Sequence, residues 1–313
     1  MRFRVLYEYF IYFIILVSIL LCMVVMVLSK SLTRSQTRQK RDYAFIVIFN
    51  SCLDLLFALF ALINMPNAIT YEGTLFVINN NPLFRHFAYP QANAVMMLFT
   101  DMTLVLSLGQ LVHFWYRHDI ICHGVTWSRK RYIFKFFSIS LVIVSDYVFS
   151  VLVRDDVGPF VKLLEETHLC KYSTEAFLMF GMTAVSITKM VVYQVVLTSF
   201  YVLLIFFGIK TQLTLRRNIY RSSQKTMEGQ RLILRSMAMQ AFCPVVTFYL
   251  PCSLFIVFAF LKVDLLDSSY YLGSLVHFLP LLNPISVLTL IPSYRRHVLI
   301  KFQQRIATVS DFS

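Results

Sequence analysis

The sequence predicts an all-α membrane protein, a bundle of seven transmembrane helices, and three observations support this. The 313 residues are 58% hydrophobic and only 14% charged, so a single water-soluble core would leave too much apolar surface uncovered. The apolar residues form seven segments, each close to the roughly 20 residues that cross a bilayer core of about 30 Å. Most Lys and Arg lie between these segments. This placement argues against nucleic acid as a partner despite a formal net charge of +13.

The predicted spans are continuously apolar, which favours helices over the alternating strands of a membrane barrel. The first apolar segment is well beyond the roughly 7–15 residues of a signal-peptide core, so we interpret it as a span. The chain is therefore predicted to form one domain with a short tail at 293–313. The seven spans lie near 8–29, 43–64, 91–116, 133–153, 187–209, 236–261 and 270–292.

The distribution of Lys and Arg predicts the orientation in the membrane. Basic residues concentrate in the connections that face the cytoplasm. One set of connections holds 21 Lys and Arg and the alternate set holds 7. The richer set comprises 30–42, 117–135, 210–235 and 293–313. We therefore expect the N-terminus outside and the C-terminus in the cytoplasm.

The stretch HFWYRHD, residues 113–119, is predicted to lie where the third helix leaves the cytoplasmic face. Its aromatic residues His113, Trp115 and Tyr116 fit the belt that anchors helices at membrane interfaces, and Arg117 would begin a basic inner loop.

Three blocks of the sequence resemble the nematode serpentine chemoreceptors of the Str superfamily. FWYRHDII at 114–121 resembles the HF-[IY]-YRY segment that ends their third helix, with His118 in place of the last Tyr. QRLILRSMAMQAFCPVVTFYLP at 230–251 resembles their sixth helix, and FLPLLNPISVLTLIPSYRR at 278–296 resembles their Pro-rich seventh helix and closing Tyr-Arg.

This resemblance implies a G-protein-coupled chemosensory receptor that detects an odorant or another small environmental molecule. The partners implied are that ligand, a heterotrimeric G-protein and membrane lipids. The implied location is the plasma membrane, in sensory neurons and their cilia. No enzymatic activity is expected, since the sequence lacks motifs such as HExxH or GxSxG in a suitable context.

Receptors of this kind switch by tilting part of a helix, which requires a hinge and a contact that breaks. Arg117 is expected to contact either the inner ends of neighbouring helices or a bound G-protein. Prolines kink helices but are also tolerated in transmembrane spans, so each proline is a hinge or a packing residue. The basic 210–235 region is a docking surface or a contact with anionic lipid. The predicted coupling and switch residues are Tyr116, Arg117, Pro244, Pro251, Asn283, Pro284, Tyr294 and Arg295, with Pro280 as a further kink.

The chain departs from the rhodopsin-like pattern at three places. Tyr116 precedes Arg117 where an acidic residue would form an ionic latch, and Val287 stands where an NPxxY motif has Tyr. Cys170 has no cysteine at the start of the third helix with which to pair. These differences favour the nematode family.

Polar residues within the spans provide the remaining candidates, because charge at membrane depth is costly and usually faces protein or water. We expect a polar network, structural or ion-sensing, of Asn50, Asp54 and Asn283. Lys189 is expected to snorkel to the interface or to pair with Asp146, and Gln240 to lie at a helix interface. The ligand-pocket candidates are Asp101, Tyr193, Phe248, Tyr249 and His277, with Phe99 and Phe278 as further aromatics, although Asp101 and His277 are also interpretable as packing residues. No cofactor and no metal site are predicted.

A ligand-gated channel or a transporter of seven helices is the alternative function. A transporter would be expected to show paired halves, which the seven unrepeated spans do not suggest. The positive-inside count argues against a channel with its N-terminus inside, but leaves other channels open.

Overall fold

The computed structural model describes residues 2–33, 38–79, 81, 87, 89–153, 177–181, 183–219, 238–265, 268–291 and 294–295. Within these residues, seven helices are long and apolar enough to cross a membrane. They are α1 (Arg2–Thr33), α2 (Arg38–Asn64), α3 (Tyr89–His123), α4 (Arg129–Leu152), α5 (Ala184–Ile219), α6 (Ala238–Phe260) and α7 (268–290). Helix α7 consists of an α-helical segment Ser268–Ser274, a 3₁₀ turn Leu275–Phe278 and a second α-helical segment Leu279–Leu290.

The helices pack around one apolar core with α3 as the most enclosed span. Helix α3 contacts α2, α4 and α5, while α1 contacts α2 and α7. All seven helices contribute buried side chains to the core, for example Ile15, Phe57, Leu108, Tyr132, Leu197, Phe248 and Leu279.

The outer surface of the bundle is also apolar. Large hydrophobic side chains such as Phe13 on α1, Phe134 on α4 and Val202 on α5 are more than half exposed. An apolar surface on this scale is typical of proteins whose spans face hydrocarbon, with backbone hydrogen bonds satisfied inside each helix.

Several helices extend beyond the predicted spans, most informatively α3. It continues to His123, seven residues past the predicted end at 116. Because α4 begins at Arg129, the connection between them is only 124–128. HFWYRHD is therefore an internal part of α3, and the helix continues past the point where it is predicted to leave the cytoplasmic face.

A three-stranded antiparallel sheet lies at one end of the bundle and was not anticipated from the sequence. Strands β1 (Pro66–Tyr71) and β2 (Thr74–Asn79) form a hairpin, and β3 (Phe177–Phe180) pairs with β2. Glu72 and Gly73 both have positive φ, 45° and 75°, as in the tight turns that match the twist of a hairpin. We call this the sheet end, and the opposite end, where α3 finishes and α4 begins, the basic end.

The hairpin is tied to the connection between α6 and α7. Thr70 donates a side-chain hydrogen bond to the Val263 carbonyl at 2.9 Å, and its own carbonyl accepts from the Leu265 amide at 3.0 Å. The Glu72 amide donates to the Asp264 carboxylate at 2.8 Å. The sheet is therefore joined to a connection that lies 192 or 193 residues away in the sequence.

Gly109 allows α3 to approach α2 closely. A Cβ added at this position would lie 2.9 Å from Leu53 Cδ1 and 3.1 Å from Asn50 Oδ1, closer than van der Waals contact permits. Because Gly109 has no side chain, Leu53 and Asn50 of α2 can pack directly against α3.

Candidate functional site

The guanidinium of Arg117 lies inside the protein at the basic end. The residue is 7% exposed, and Nη2 donates a hydrogen bond of 2.8 Å to the Tyr43 hydroxyl on α2. The guanidinium carbon also lies 5.9 Å from the centre of the Tyr43 ring. Among the described residues no carboxylate forms an ion pair with Arg117. A neutral hydroxyl thus joins α3 to α2 where an ionic latch is absent.

Tyr116 belongs to the protein core. It is 1% exposed and packs edge-on against Trp127 and Tyr132, with ring centres 5.7 Å and 6.2 Å away. His113 is also buried. The prediction that Tyr116 and His113 lie in an interfacial aromatic belt is wrong, because α3 is surrounded by other helices at this depth.

The 124–128 connection is held to both neighbouring helices by its Trp127. The indole Nε1 donates to Asp119 Oδ2 on α3 at 2.9 Å. Lys135 on α4 places its ammonium 3.3 Å and 3.6 Å from the ring centres of Trp115 and Trp127. Cation–π contacts of this kind contribute about 0.5–2 kcal/mol each. The 124–128 connection is therefore held against α3 and α4 by these side-chain contacts.

The predicted polar network consists of two separate contacts. Asn283 on α7 donates its Nδ2 to Asp54 Oδ2 at 2.7 Å. Asn50, four residues earlier on α2, contacts His113 Nδ1 at 3.3 Å. Asp54 and Asn283 are thus brought together as expected, whereas Asn50 connects α2 to α3.

A small crevice between α3, α6 and α7 brings predicted switch residues together. Gln240 Nε2 donates to Ser286 Oγ at 3.0 Å, and Ser286 Oγ donates to the Asn283 carbonyl at 2.7 Å. Gln240 is therefore at a helix interface, as expected. The lining residues are Gln110, Met239, Gln240, Cys243, Pro244, Leu279, Leu282, Asn283 and Ser286.

Helix α6 contains a π-helical turn, Val245–Tyr249, between Pro244 and Pro251. Proline has no amide hydrogen and its ring clashes with the carbonyl four residues earlier, here that of Thr247. Widening the helix by one residue relieves this conflict, and the Leu250 amide donates to the Val245 carbonyl. Such turns interrupt α-helices frequently at functional sites.

Helix α7 is interrupted at a comparable depth. Its 3₁₀ turn Leu275–Phe278 is followed by an α-helical segment that has Pro280 as its second residue and Pro284 in its interior. The Cys22 thiol on α1 approaches the Pro280 carbonyl at 3.8 Å. The predicted kink at Pro280 thus coincides with the change from 3₁₀ to α-helix and with a contact to α1.

Tyr294 connects the end of α7 to α1. Its hydroxyl lies 2.8 Å from Ser29 Oγ, and the ring packs in the same apolar cluster as Val287. Burial raises the pKa of Tyr294 to about 12, so the phenol remains protonated and able to donate at neutral pH. The neighbouring Arg295 is exposed.

The ligand-pocket candidates fall into two groups. On the α3–α5–α6 side, the Tyr193 hydroxyl contacts Thr103 Oγ1 at 2.7 Å, and the Tyr249 hydroxyl contacts Thr198 Oγ1 at 3.3 Å. Asp101 is buried close to Tyr193, and neither of its carboxylate oxygens has a hydrogen-bond partner in the described part of the chain.

The other candidates pack differently. Phe248 is fully enclosed in the main core, and His277 lies in the 3₁₀ turn of α7 against the Pro66 carbonyl of β1. Phe99 stacks on Phe57 at 5.3 Å. Phe278 approaches Phe10 on α1 at 6.4 Å.

Lys189 does not run along the membrane interface. Its side chain is 6% exposed, so the expectation of snorkelling is wrong, and the ammonium is enclosed by protein. Asp146 is likewise buried. Cys170 lies outside the described residues. The part of 210–235 that follows Ile219 lies outside them as well.

The comparison with known families decides the identity of the fold. A family profile for the serpentine type 7TM GPCR chemoreceptor Str matches residues 7–299. The chain belongs to this family. No curated protein matches the chain. The Str match covers all seven helices and the sheet, and the family is one of chemoreceptors rather than enzymes.

Two features of this Str chemoreceptor were missed by sequence reasoning. The sequence does contain a signal for the hairpin, because Glu72-Gly73 separates two runs rich in β-branched and aromatic residues. The second feature is a group of possible metal ligands, His118, Asp119 and His123, at the basic end of α3. The pattern H-D-x-x-x-H is visible in the sequence, but its residues lie together on one helix because α3 continues to His123.

Proposed function

We propose that this Str chemoreceptor detects a small odorant or other environmental molecule on the side of its sheet end and activates a heterotrimeric G-protein at its basic end. The observation that carries this proposal is the Arg117–Tyr43 contact, a hydrogen bond from a buried charge to a neutral acceptor. Hydrogen bonds to charged groups contribute about 1.5–3 kcal/mol. A ligand's differential affinity for two states is sufficient to break such a contact.

A path between the two ends is supported by the interruptions of α6 and α7. The crevice residues Gln240 and Ser286 join α6 to α7 next to Pro244. If the half of α6 nearer the basic end rotated about the π-helical turn, these hydrogen bonds would break and others would replace them. Other helix-tilting switches work in this way. Release of Arg117 would accompany this movement.

The ligand class is inferred from the side chains shared by α3, α5 and α6. Tyr193 and Tyr249 offer aromatic faces with hydroxyl groups, and Thr103 adds an aliphatic hydroxyl; such groups suit small, weakly polar molecules. Asp101 adds a buried carboxylate that favours a hydrogen-bond donor or a cation. The expected locations are the plasma membrane and, from the family, sensory neurons and their cilia.

The test is nucleotide exchange on purified G-protein by the receptor in lipid vesicles, with a panel of volatile and water-soluble chemicals. A chemical-dependent increase in exchange on any G-protein class is the expected result. Ion current or solute flux without nucleotide exchange would overturn the proposal in favour of the channel or transporter.

A further inference from the structure

The basic end of α3 gathers two imidazoles and a carboxylate. His118, Asp119 and His123 each offer one ligand atom, and these atoms all lie within 4.8 Å of one another. The His118 and His123 rings are 5.2 Å apart. His118 is buried, Asp119 is partly buried and His123 is exposed, so the group is anchored in the protein and reachable from solvent.

His118 and Asp119 are already spaced as two ligands of one metal ion would be. His118 Nδ1 lies 3.4 Å from Asp119 Oδ1 in a long hydrogen bond, compared with the roughly 2.9–3.0 Å typical of N–H···O hydrogen bonds. In a tetrahedral Zn²⁺ site with bonds of about 2.0–2.2 Å, two ligand atoms lie roughly 3.3–3.6 Å apart. Rotation of the exposed His123 side chain would bring the third ligand to that spacing.

Neighbouring groups orient the carboxylate toward the imidazoles. Trp127 Nε1 donates to Asp119 Oδ2, and the Lys135 ammonium lies 4.0 Å from the same oxygen. Oδ1 faces His118 Nδ1 at 3.4 Å, so a metal ion shared by the two atoms would replace this contact. Partners that fix a ligating carboxylate in this way are typical of protein metal sites.

The local charges are compatible with a cation. The site lies in the last turns of α3, where the helix C-terminus carries a partial negative charge. Arg117 is directed to Tyr43 on α2, and Lys135 contacts the far oxygen of Asp119. The nearby Cys122 thiol contacts Thr214 Oγ1 on α5 at 3.3 Å, so it is engaged outside the site.

We propose that His118, Asp119 and His123 form a binding site for a divalent transition metal, with Zn²⁺ as the best match. Two imidazoles and one carboxylate are a common Zn²⁺ ligand set, and water would complete the coordination. Because Asp119 also holds Trp127, a bound metal would rigidify the 124–128 connection. An effect of Zn²⁺ on nucleotide exchange would rest on the proposed function, whereas metal binding itself does not.

The test is Zn²⁺ titration of the purified full-length receptor in detergent, by calorimetry and by competition with a chromogenic chelator. The receptor is purified through an epitope tag without histidine. We expect a saturable site whose affinity falls by about tenfold or more in His123→Ala and in Asp119→Asn, since loss of a ligand costs at least as much as loss of a supporting partner. Cys122→Ser is the matched control and should bind as tightly as wild type.

His123 is exposed, so His123→Ala provides the cleanest result if Asp119→Asn proves unstable. Unchanged Zn²⁺ affinity in His123→Ala would overturn the proposal, as would the absence of saturable binding to the wild-type receptor. Neither measurement involves a G-protein, so a failure of the metal site is distinguishable from a failure of the receptor function.

Discussion

In the described part of the chain, neutral side chains hydrogen-bond to two buried ionisable residues of this receptor, Arg117 and Asp54. Arg117 donates to the Tyr43 hydroxyl and Asp54 accepts from the Asn283 amide. Buried charges without a hydrogen-bond partner are costly, so these contacts stabilise the folded bundle. They also lack the strength of a buried ion pair, which makes them suitable as contacts that a conformational change breaks.

Arg117→Ala should reduce ligand-stimulated nucleotide exchange while leaving surface expression unchanged. Tyr43→Phe removes only the hydroxyl acceptor and should raise basal exchange, because it destabilises the resting arrangement of Arg117. Both are measured as exchange rates at matched surface levels. An unchanged response in Arg117→Ala would remove the signalling role assigned to this residue.

Variants of the Asp54–Asn283 contact test whether this pair takes part in switching or only stabilises the structure. Asp54→Asn retains an acceptor for the Asn283 amide, so it should alter signalling more than surface expression. Asn283→Ala leaves the Asp54 carboxyl without its partner, at a cost of roughly 1–3 kcal/mol, and should lower surface expression. Loss of surface protein in Asp54→Asn would instead indicate a purely structural network.

Close helix contacts and local changes of helix type determine how the elements fit together. Gly109 lets α2 and α3 approach, and the π-helical turn Val245–Tyr249 gives α6 a departure from α-helical geometry between two prolines. The first feature favours rigidity and the second favours movement. The two helices therefore have different parts in the proposed switch.

Gly109→Ala should lower the thermal stability of the detergent-solubilised receptor, because the added methyl group overlaps Leu53 and Asn50. Overpacking of this kind costs about 1–3 kcal/mol. Gly208→Ala is the matched control. Both variants gain the roughly 1 kcal/mol by which alanine favours a helix over glycine, but the Cβ at 208 would meet Phe114 at an ordinary 3.5 Å, so Gly109→Ala should melt at a lower temperature than Gly208→Ala. Equal melting temperatures in the two variants would contradict this account of Gly109.

Pro251→Ala restores an amide hydrogen to α6 and should allow a regular α-helix in place of the π-helical turn. We expect thermal stability to be maintained or increased and ligand-stimulated nucleotide exchange to fall, because the hinge is lost. A variant that exchanges nucleotide as well as wild type, at equal expression, would show that the turn is not required for switching.

At the scale of the whole molecule, the seven helices enclose one core and expose apolar side chains around it. The basic residues concentrate in one set of connections, which predicts that the basic end faces the cytoplasm. The sheet would then cover the outer side. This orientation determines which end is available to a ligand and which to a G-protein.

Epitope tags at Met1 and Ser313 test the orientation in intact and permeabilised cells. The tag at Met1 should be accessible to antibody in intact cells, and the tag at Ser313 only after permeabilisation. A tag at the Glu72-Gly73 turn should behave like the first. Accessibility of both termini from the same side would rule out the seven-span topology.

Sequence alone was sufficient to predict seven spans, because apolar segments long enough to cross a bilayer are strong local signals. The Str family followed from the resemblance of three sequence blocks. The sequence also indicated Asp54 and Asn283, because polar groups within a span usually face protein or water. Arg117 and the α6 prolines were indicated by the blocks that resemble the Str family. The three-stranded sheet had only a short local signal, and β3 comes from a distant part of the chain.

Only the tertiary structure decided which partner each polar residue contacts. Tyr43 and Arg117 are 74 residues apart, and Asp54 and Asn283 are 229 apart; such pairings depend on the rotation of each helix about its axis. The burial of Tyr116 and Lys189 depends on these rotations as well, whereas the His118–Asp119–His123 group depends on the continuation of α3 to His123. Packing around α3 sets these rotations, because the apolar spans satisfy their own backbones and leave side-chain fit to determine their neighbours.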